Sequence, residues 1–122
     1  MRQGSRLVTI VLVILAAHVA EVCLYAVAYA ISTHILGIGG FSGRAMTTPL
    51  DYLYFSIVTF TSLGLGDVFP IGHVRFLAGI ETLNGLLLIA WSGSFIYMAM
   101  GRMWPWPPCA VPTDARPPGR ED

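Results

Sequence analysis

Two glycines at alternate positions mark the segment that is best suited to chemistry. Gly64 and Gly66 lie in the run Ser62–Gly66, which is followed by Asp67. An extended backbone alternates its carbonyls, and turning successive carbonyls toward one axis requires positive φ at alternate residues, which glycine tolerates best. A ring of such oxygens can replace the water around a cation. The spacing therefore favours a site that binds a dehydrated cation with backbone oxygens.

Three ionisable side chains lie within otherwise apolar stretches: His18, Glu21 and Glu81. Such groups are expensive to bury in a membrane without a partner. His18 and Glu21 are one helical turn apart, and two interpretations stay open. They form either a polar clamp between two helices or a proton-sensitive gate. The candidate clamp partners on the later helix are Trp91, Ser92 and Thr82.

The composition predicts a membrane protein with a single domain. Hydrophobic residues make up 55% of the 122 residues, charged residues 11%, and lysine is absent. A soluble domain of this size needs far more charge on its surface. The formal net charge of zero gives no electrostatic reason to expect nucleic acid. Cys23 and Cys109 lack metal-site or disulfide spacing, and no arrangement of residues indicates an enzyme, a cofactor or a small-molecule substrate.

Two long apolar runs predict helices that cross the membrane. The first covers about residues 7–36, too long for the apolar part of a signal peptide, so we expect it to stay uncleaved. The second covers about residues 74–101. Between them, the glycines of residues 37–43 are expected to break any regular element.

A short apolar segment at about residues 49–61 predicts a helix that cannot span. Thr48 is a suitable N-cap, Pro49 suits the first turn, and Asp51 complements the helix dipole. Leu63 and Leu65, just after this helix, are expected to point back into its packing. The chain thus divides into a membrane domain at residues 1–103 and a proline-rich tail at residues 104–122, for which we expect disorder.

Non-helical backbone at membrane depth must be enclosed by protein or water, because lipid offers it no hydrogen bonds. Two spanning helices from one chain cannot provide that enclosure, so the sequence predicts an oligomer in membrane lipid. Arginines precede the first long run and follow the second, which favours a cytoplasmic location for both termini. These arginines are Arg2, Arg6, Arg102, Arg116 and Arg120.

The segment Tyr54–Asp67 resembles the pore helix and selectivity filter of potassium channels, and the resemblance extends over about residues 49–101. Ser62–Gly66 stands in place of the TVGYG filter of that family. Leu65 replaces the usual tyrosine, although some two-pore-domain potassium channels also have a GLGD filter. Val58 lies where certain bacterial channels have an acid paired with the filter aspartate. Asp67 must therefore find another partner or stay solvated.

The resemblance implies a role for each residue of this segment. The filter is Ser62, Leu63, Gly64, Leu65 and Gly66, with potassium bound at the first four. Residues expected to support the filter are Thr61, Asp67, Tyr54, Phe55 and Val58.

The second long run resembles the inner helix of the same family. Gly85 falls at the hinge glycine of that helix, and Leu86, Ile89, Gly93 and Tyr97 are then expected to share the face that lines the cavity. His-x-x-Glu on the first helix and a glutamate before Gly85 also resemble a bacterial subgroup of the family.

The fold class implied by these features is an all-α membrane protein, with two transmembrane helices flanking a re-entrant pore helix and filter loop. The resemblance implies passive, potassium-selective conduction by a homotetramer in the plasma (cell inner) membrane, with potassium as the permeant ion. Two alternatives remain at this point. One is a weakly selective sodium/potassium channel, and the other is a non-conducting membrane adaptor with a pore-like loop.

Overall fold

A computed structural model describes residues 3–104, so the predicted tail beyond Trp104 lies outside the described residues. Three helices and two short strands follow one another along the chain. They are α1 (Gln3–His34), β1 (Gly39–Gly43), α2 (Pro49–Phe60), β2 (Val68–Gly72) and α3 (Val74–Met103). The mostly helical architecture predicted from the sequence, with two long apolar helices flanking the short helix α2, is confirmed.

Helices α1 and α3 are both long and apolar enough to cross a membrane. Helix α1 begins four residues before its predicted start and ends two residues before its predicted end, whereas α3 extends two residues further than predicted. Large apolar side chains cover their outer surfaces, as at Leu24 and Phe76, which are 71% and 73% exposed. In a single chain such surface is stable only against lipid or another copy of the protein.

Helix α2 begins at the residues that the sequence indicates. Thr48 has an extended backbone, Pro49 follows, and the Asp51 carboxylate accepts hydrogen bonds from the Thr48 backbone N–H at 2.7 Å and the Thr48 hydroxyl at 2.9 Å. The Thr47 backbone N–H donates to the same oxygen at 2.9 Å. These hydrogen bonds hold the pKa of Asp51 below its usual range, and those from Thr48 have the largest effect.

The expectation that residues 37–43 break all regular structure is wrong. Gly39–Gly43 forms β1, which pairs antiparallel with β2 so that Gly39 lies opposite Gly72 and Gly43 opposite Val68. A Cβ atom at Gly39 would overlap the backbone oxygen of Ile71, so a glycine lets the strands approach closely. The resulting ribbon joins the end of α1 to the start of α3.

The core lies where α2 packs between α1 and the ribbon. Tyr29 and Phe55 meet edge to face with ring centroids 5.1 Å apart, and Phe41 lies 4.7 Å from Phe55. Val74 and Ala78 of α3 complete this cluster. The core therefore holds α2 from behind, on the side away from the loop that follows it.

Candidate functional site

Helix α2 ends in a Schellman motif that begins the candidate site. The Leu63 N–H donates to the Val58 carbonyl at 2.9 Å, and the Ser62 N–H donates to the Thr59 carbonyl at 3.0 Å. Ser62 occupies the left-handed position of this motif, with φ of 58°. The end of the helix thus fixes the direction in which the loop departs.

Positive φ then recurs at every second residue of the loop. Ser62, Gly64 and Gly66 have φ values of 58°, 53° and 79°. This is the alternation that turns successive carbonyls toward one side of an extended chain. The sequence indicates the two glycines, but it gives no sign that Ser62 adopts the same conformation, which costs a residue with a Cβ about 1 kcal/mol.

Asp67, at the end of the loop, is anchored at two of its atoms. The Tyr54 hydroxyl donates to Asp67 Oδ2 at 3.0 Å, and the Arg44 backbone N–H donates to the Asp67 carbonyl at 2.9 Å. Asp67 thus has a partner that Val58 could not provide. The structure places Tyr54, Asp67 and the loop together, as a supporting role for Tyr54 requires.

Other predicted supporting residues act differently from expectation or lie elsewhere. Phe55 packs behind α2 against Tyr29 and Phe41, away from the loop. Val58 contributes its backbone carbonyl, which accepts hydrogen bonds from Leu63 and from the Gly64 N–H at 3.3 Å.

Thr61 closes the last turn of α2. Its hydroxyl donates to the Ile57 carbonyl at 2.7 Å. The Thr61 backbone N–H donates to the same carbonyl at 3.1 Å, so the hydroxyl adds a second bond at the helix end just before the loop begins.

The expectation that Leu63 and Leu65 pack against α2 is wrong within one chain. Their side chains are 61% and 60% exposed. Within the chain, the backbone of the loop is held at its two ends, by the terminus of α2 and by Asp67. The leucine side chains between these ends are uncovered in a single copy.

A buried polar cluster lies behind α2. Glu81 of α3 is fully buried, and its two carboxyl oxygens are paired with the Tyr29 hydroxyl of α1 and the Ser56 hydroxyl of α2. Ser56 also bonds the Val22 carbonyl at 2.8 Å. The sequence predicts Glu81 as a polar intramembrane residue but not these partners. A serine in the largely apolar segment 52–60 was the available signal for Ser56.

His18 joins α1 to α3 further along the bundle. Its Nε2 lies 3.1 Å from Ser92 Oγ, and its Nδ1 lies 3.3 Å from Glu21 Oε2. Ser92 is one of the partners that the clamp interpretation names. Thr82 instead bonds the Thr59 carbonyl of α2 at 3.3 Å, and Trp91 is 77% exposed.

Gly85, the predicted hinge, lies inside an unbroken α3 where that helix touches α2. A Cβ atom there would overlap the backbone carbonyl of Phe60. The glycine is thus needed for close helix packing, whether or not the helix bends at this point. The predicted cavity-lining residues are all exposed in the single chain: Leu86, Ile89, Gly93 and Tyr97.

Ile89 also borders an apolar cleft of about 410 Å³ between the helices. Phe60 of α2 and Val19 of α1 line the same cleft. In the single chain Ile89 thus faces neighbouring apolar side chains as well as open space.

In the described residues 3–104, no group of three His, Cys, Asp or Glu side chains is placed to hold a metal ion. A family model described as "ion channel" matches residues 8–102, which include α2, the loop and nearly all of α1 and α3. No curated protein and no solved structure gives a significant match.

Proposed function

Because the chain belongs to the ion channel family whose model matches residues 8–102, we propose that it conducts potassium through a pore of four identical copies. Family membership and the two long apolar helices indicate a membrane-embedded channel domain. Beyond ion conduction in general, we propose which ion is conducted, which residues form the filter and how many copies form the pore.

The backbone of the loop carries the proposal for the ion. Positive φ at Ser62, Gly64 and Gly66 supports a column of carbonyls from Ser62 to Leu65 as the potassium sites. Such carbonyls replace the hydration shell of the ion as it passes. The carbonyls at the C-terminal end of α2 carry the negative end of its dipole and favour a cation next to the filter.

The exposed leucines support assembly around the loop. One loop places oxygens on one side of an ion, and a ring requires further copies. Four copies also give Leu63 and Leu65 a neighbouring protein surface to pack against. Rotational symmetry around the loop axis then brings the exposed faces of α3 toward the centre, where Gly93 and Tyr97 would line the pore.

The proposed location is the plasma (cell inner) membrane, with both termini on the cytoplasmic side. Arg6 at the start of α1 and Arg102 at the end of α3 lie at the same end of the bundle, where they line one cleft. Arginines concentrate on the cytoplasmic side of membrane proteins. This arrangement puts the loop near the outer surface of the membrane. The lipid is contacted by α1 and α3.

One observation favours a second candidate, a weakly selective sodium/potassium channel. Leu65 carries no hydroxyl with which to brace the loop against α2. The hydrogen bond from Tyr54 to Asp67 instead holds the end of the loop against α2. We therefore place potassium selectivity first.

Reconstitution into liposomes tests conduction, with empty liposomes as the control. Potassium flux into vesicles that hold only this protein supports the proposal, and its absence favours a non-conducting adaptor. Mass measurement in nanodiscs should give four copies. A conducting monomer would contradict the proposed assembly.

A further inference from the structure

Glu81 connects all three helices through its two carboxyl oxygens. Oε2 is paired with the Tyr29 hydroxyl of α1, and Oε1 is paired with the Ser56 hydroxyl of α2. Glu81 and Ser56 are fully buried, as is Tyr29. Ser56 lies on the helix that leads into the candidate filter, so this cluster fixes that helix against both spanning helices.

The hydrogens available in the cluster indicate the protonation state of Glu81. Ser56 Oγ lies within hydrogen-bond distance of two oxygens, the Val22 carbonyl and Glu81 Oε1. A hydroxyl has one hydrogen to donate, and neither a carbonyl nor a carboxylate oxygen has any. If Glu81 were ionised, one of these two contacts would join a pair of oxygens with no hydrogen between them.

A proton on Oε1 completes every contact. Glu81 then donates to Ser56, Ser56 donates to the Val22 carbonyl, and Tyr29 donates to Oε2. This chain of donors agrees with the absence of unpaired buried side-chain polar atoms among residues 3–104. Buried polar groups are normally all paired, because each unpaired one costs free energy.

The surroundings of Glu81 supply no cation that would stabilise an ionised carboxyl. From α1 the titratable groups packed into this core are Tyr29 and Tyr25, and from α2 the only one is Tyr52. Neither β1 nor β2 carries a titratable residue. Within the described residues, the one carboxylate–base contact joins His18 to Glu21.

We infer that Glu81 is held as a neutral carboxylic acid and acts as a positioning residue, which holds the pore helix in register with the spanning helices. Loss of its proton removes the hydrogen bond to Ser56 and leaves a buried charge beside α2. Conduction should therefore fall as the pH rises and Glu81 ionises. The protonation state stands on the geometry alone, and the effect on conduction rests on the proposed function.

Glu81→Gln distinguishes a neutral acid from a carboxylate. The amide oxygen can accept from Tyr29 and the amide nitrogen can donate to Ser56, which reproduces both contacts of the neutral acid and leaves one N–H over. Unlike the acid, this side chain does not ionise. Glu21→Gln is the matched control, because it removes a carboxyl from α1 without touching the cluster.

The direct test is the infrared spectrum of the full-length protein in liposomes. At neutral pH the wild-type protein should show the C=O band of a protonated carboxylic acid, which Glu81→Gln removes and Glu21→Gln retains. The same band should disappear from the wild type at alkaline pH. A Glu81→Gln spectrum with the acid band unchanged would overturn the inference.

Potassium flux tests the positioning role separately. From neutral to alkaline pH the wild type should lose roughly tenfold in flux, whereas Glu81→Gln should stay within about threefold of its flux at neutral pH. Identical pH profiles for the two proteins would overturn the positioning role. If no variant conducts, the proposed function fails, and the infrared band still decides the protonation state.

Discussion

The two sides of α2 differ in how completely their side chains are buried and paired within one chain. Behind α2, Tyr29, Ser56 and Glu81 are fully buried, and their polar atoms are paired with one another. In front, Leu63 and Leu65 are more than half exposed, and the loop is tied only at its ends. The single chain therefore completes the packing behind α2, whereas the proposed conducting site depends on the proposed assembly.

The largest expected effect is on the front. Gly66→Ala places a Cβ at a residue with φ of 79°, at a cost of about 1 kcal/mol or more in each copy, and Gly64→Ala does the same at φ of 53°. Neither Cβ meets another atom within 4 Å in the single chain, so insertion and folding should be normal. Current should disappear or lose selectivity in bilayer recordings. Normal selectivity in both variants would show that this loop is not the filter.

The next effect belongs to the back. Gly85→Ala forces α3 away from the Phe60 carbonyl, and overpacking of this kind costs roughly 1–3 kcal/mol. The assembled protein should therefore melt at a lower temperature in detergent. Gly79→Ala is the matched control on the same helix, since nothing lies within 4 Å of the added Cβ. Equal melting of the two variants would mean that α2 and α3 do not pack as the structure shows.

A smaller effect is expected where front and back meet. Tyr54→Phe removes the hydroxyl that donates to Asp67 but keeps the ring. Because a hydrogen bond has a modest net effect, the potassium-to-sodium permeability ratio should fall by less than about tenfold, with assembly unchanged. Tyr25→Phe on α1 serves as the control. If the permeability ratio of Tyr54→Phe equals that of the wild type, Tyr54 does not support the filter.

The smallest effect concerns the start of α2. The pKa of Asp51 is lowered, so its stabilising contribution is complete above the ordinary aspartate pKa of about 3.9 and is lost as the pH falls through the lowered value. Melting of the wild type should therefore decline in acid more steeply than melting of Asp51→Asn. Parallel curves for the two proteins would show that the bonds to Thr48 do not form.

The sequence predicted the parts of the molecule that depend on local signals. Hydrophobic length indicated α1 and α3, and Thr48, Pro49 and Asp51 indicated the start of α2. The β1–β2 ribbon escaped prediction, because glycines that usually interrupt structure here allow two strands to approach closely. The pairing of Glu81 with Ser56 and Tyr29 also escaped, since it joins residues far apart in the chain and no local pattern encodes such contacts.

The predicted site residues also divide into those with a local sequence signal and those without one. Alternation of Gly64 and Gly66 is visible in the sequence, and their positive φ follows from it. The positive φ of Ser62 arises from the Schellman motif at the end of α2, whose hydrogen bonds involve backbone atoms only. The exposure of Leu63 and Leu65 in one chain fits the proposed assembly, in which neighbouring copies would cover them.

In the proposed channel, the carbonyls of Ser62–Leu65 select potassium in a fourfold pore. A planar bilayer recording of the purified protein, with potassium on one side and sodium on the other, tests this claim most directly. We predict a reversal potential close to that expected for potassium permeation alone, and Gly66→Ala should abolish the current or move its reversal toward zero. A wild-type current that reverses at zero would contradict potassium selectivity.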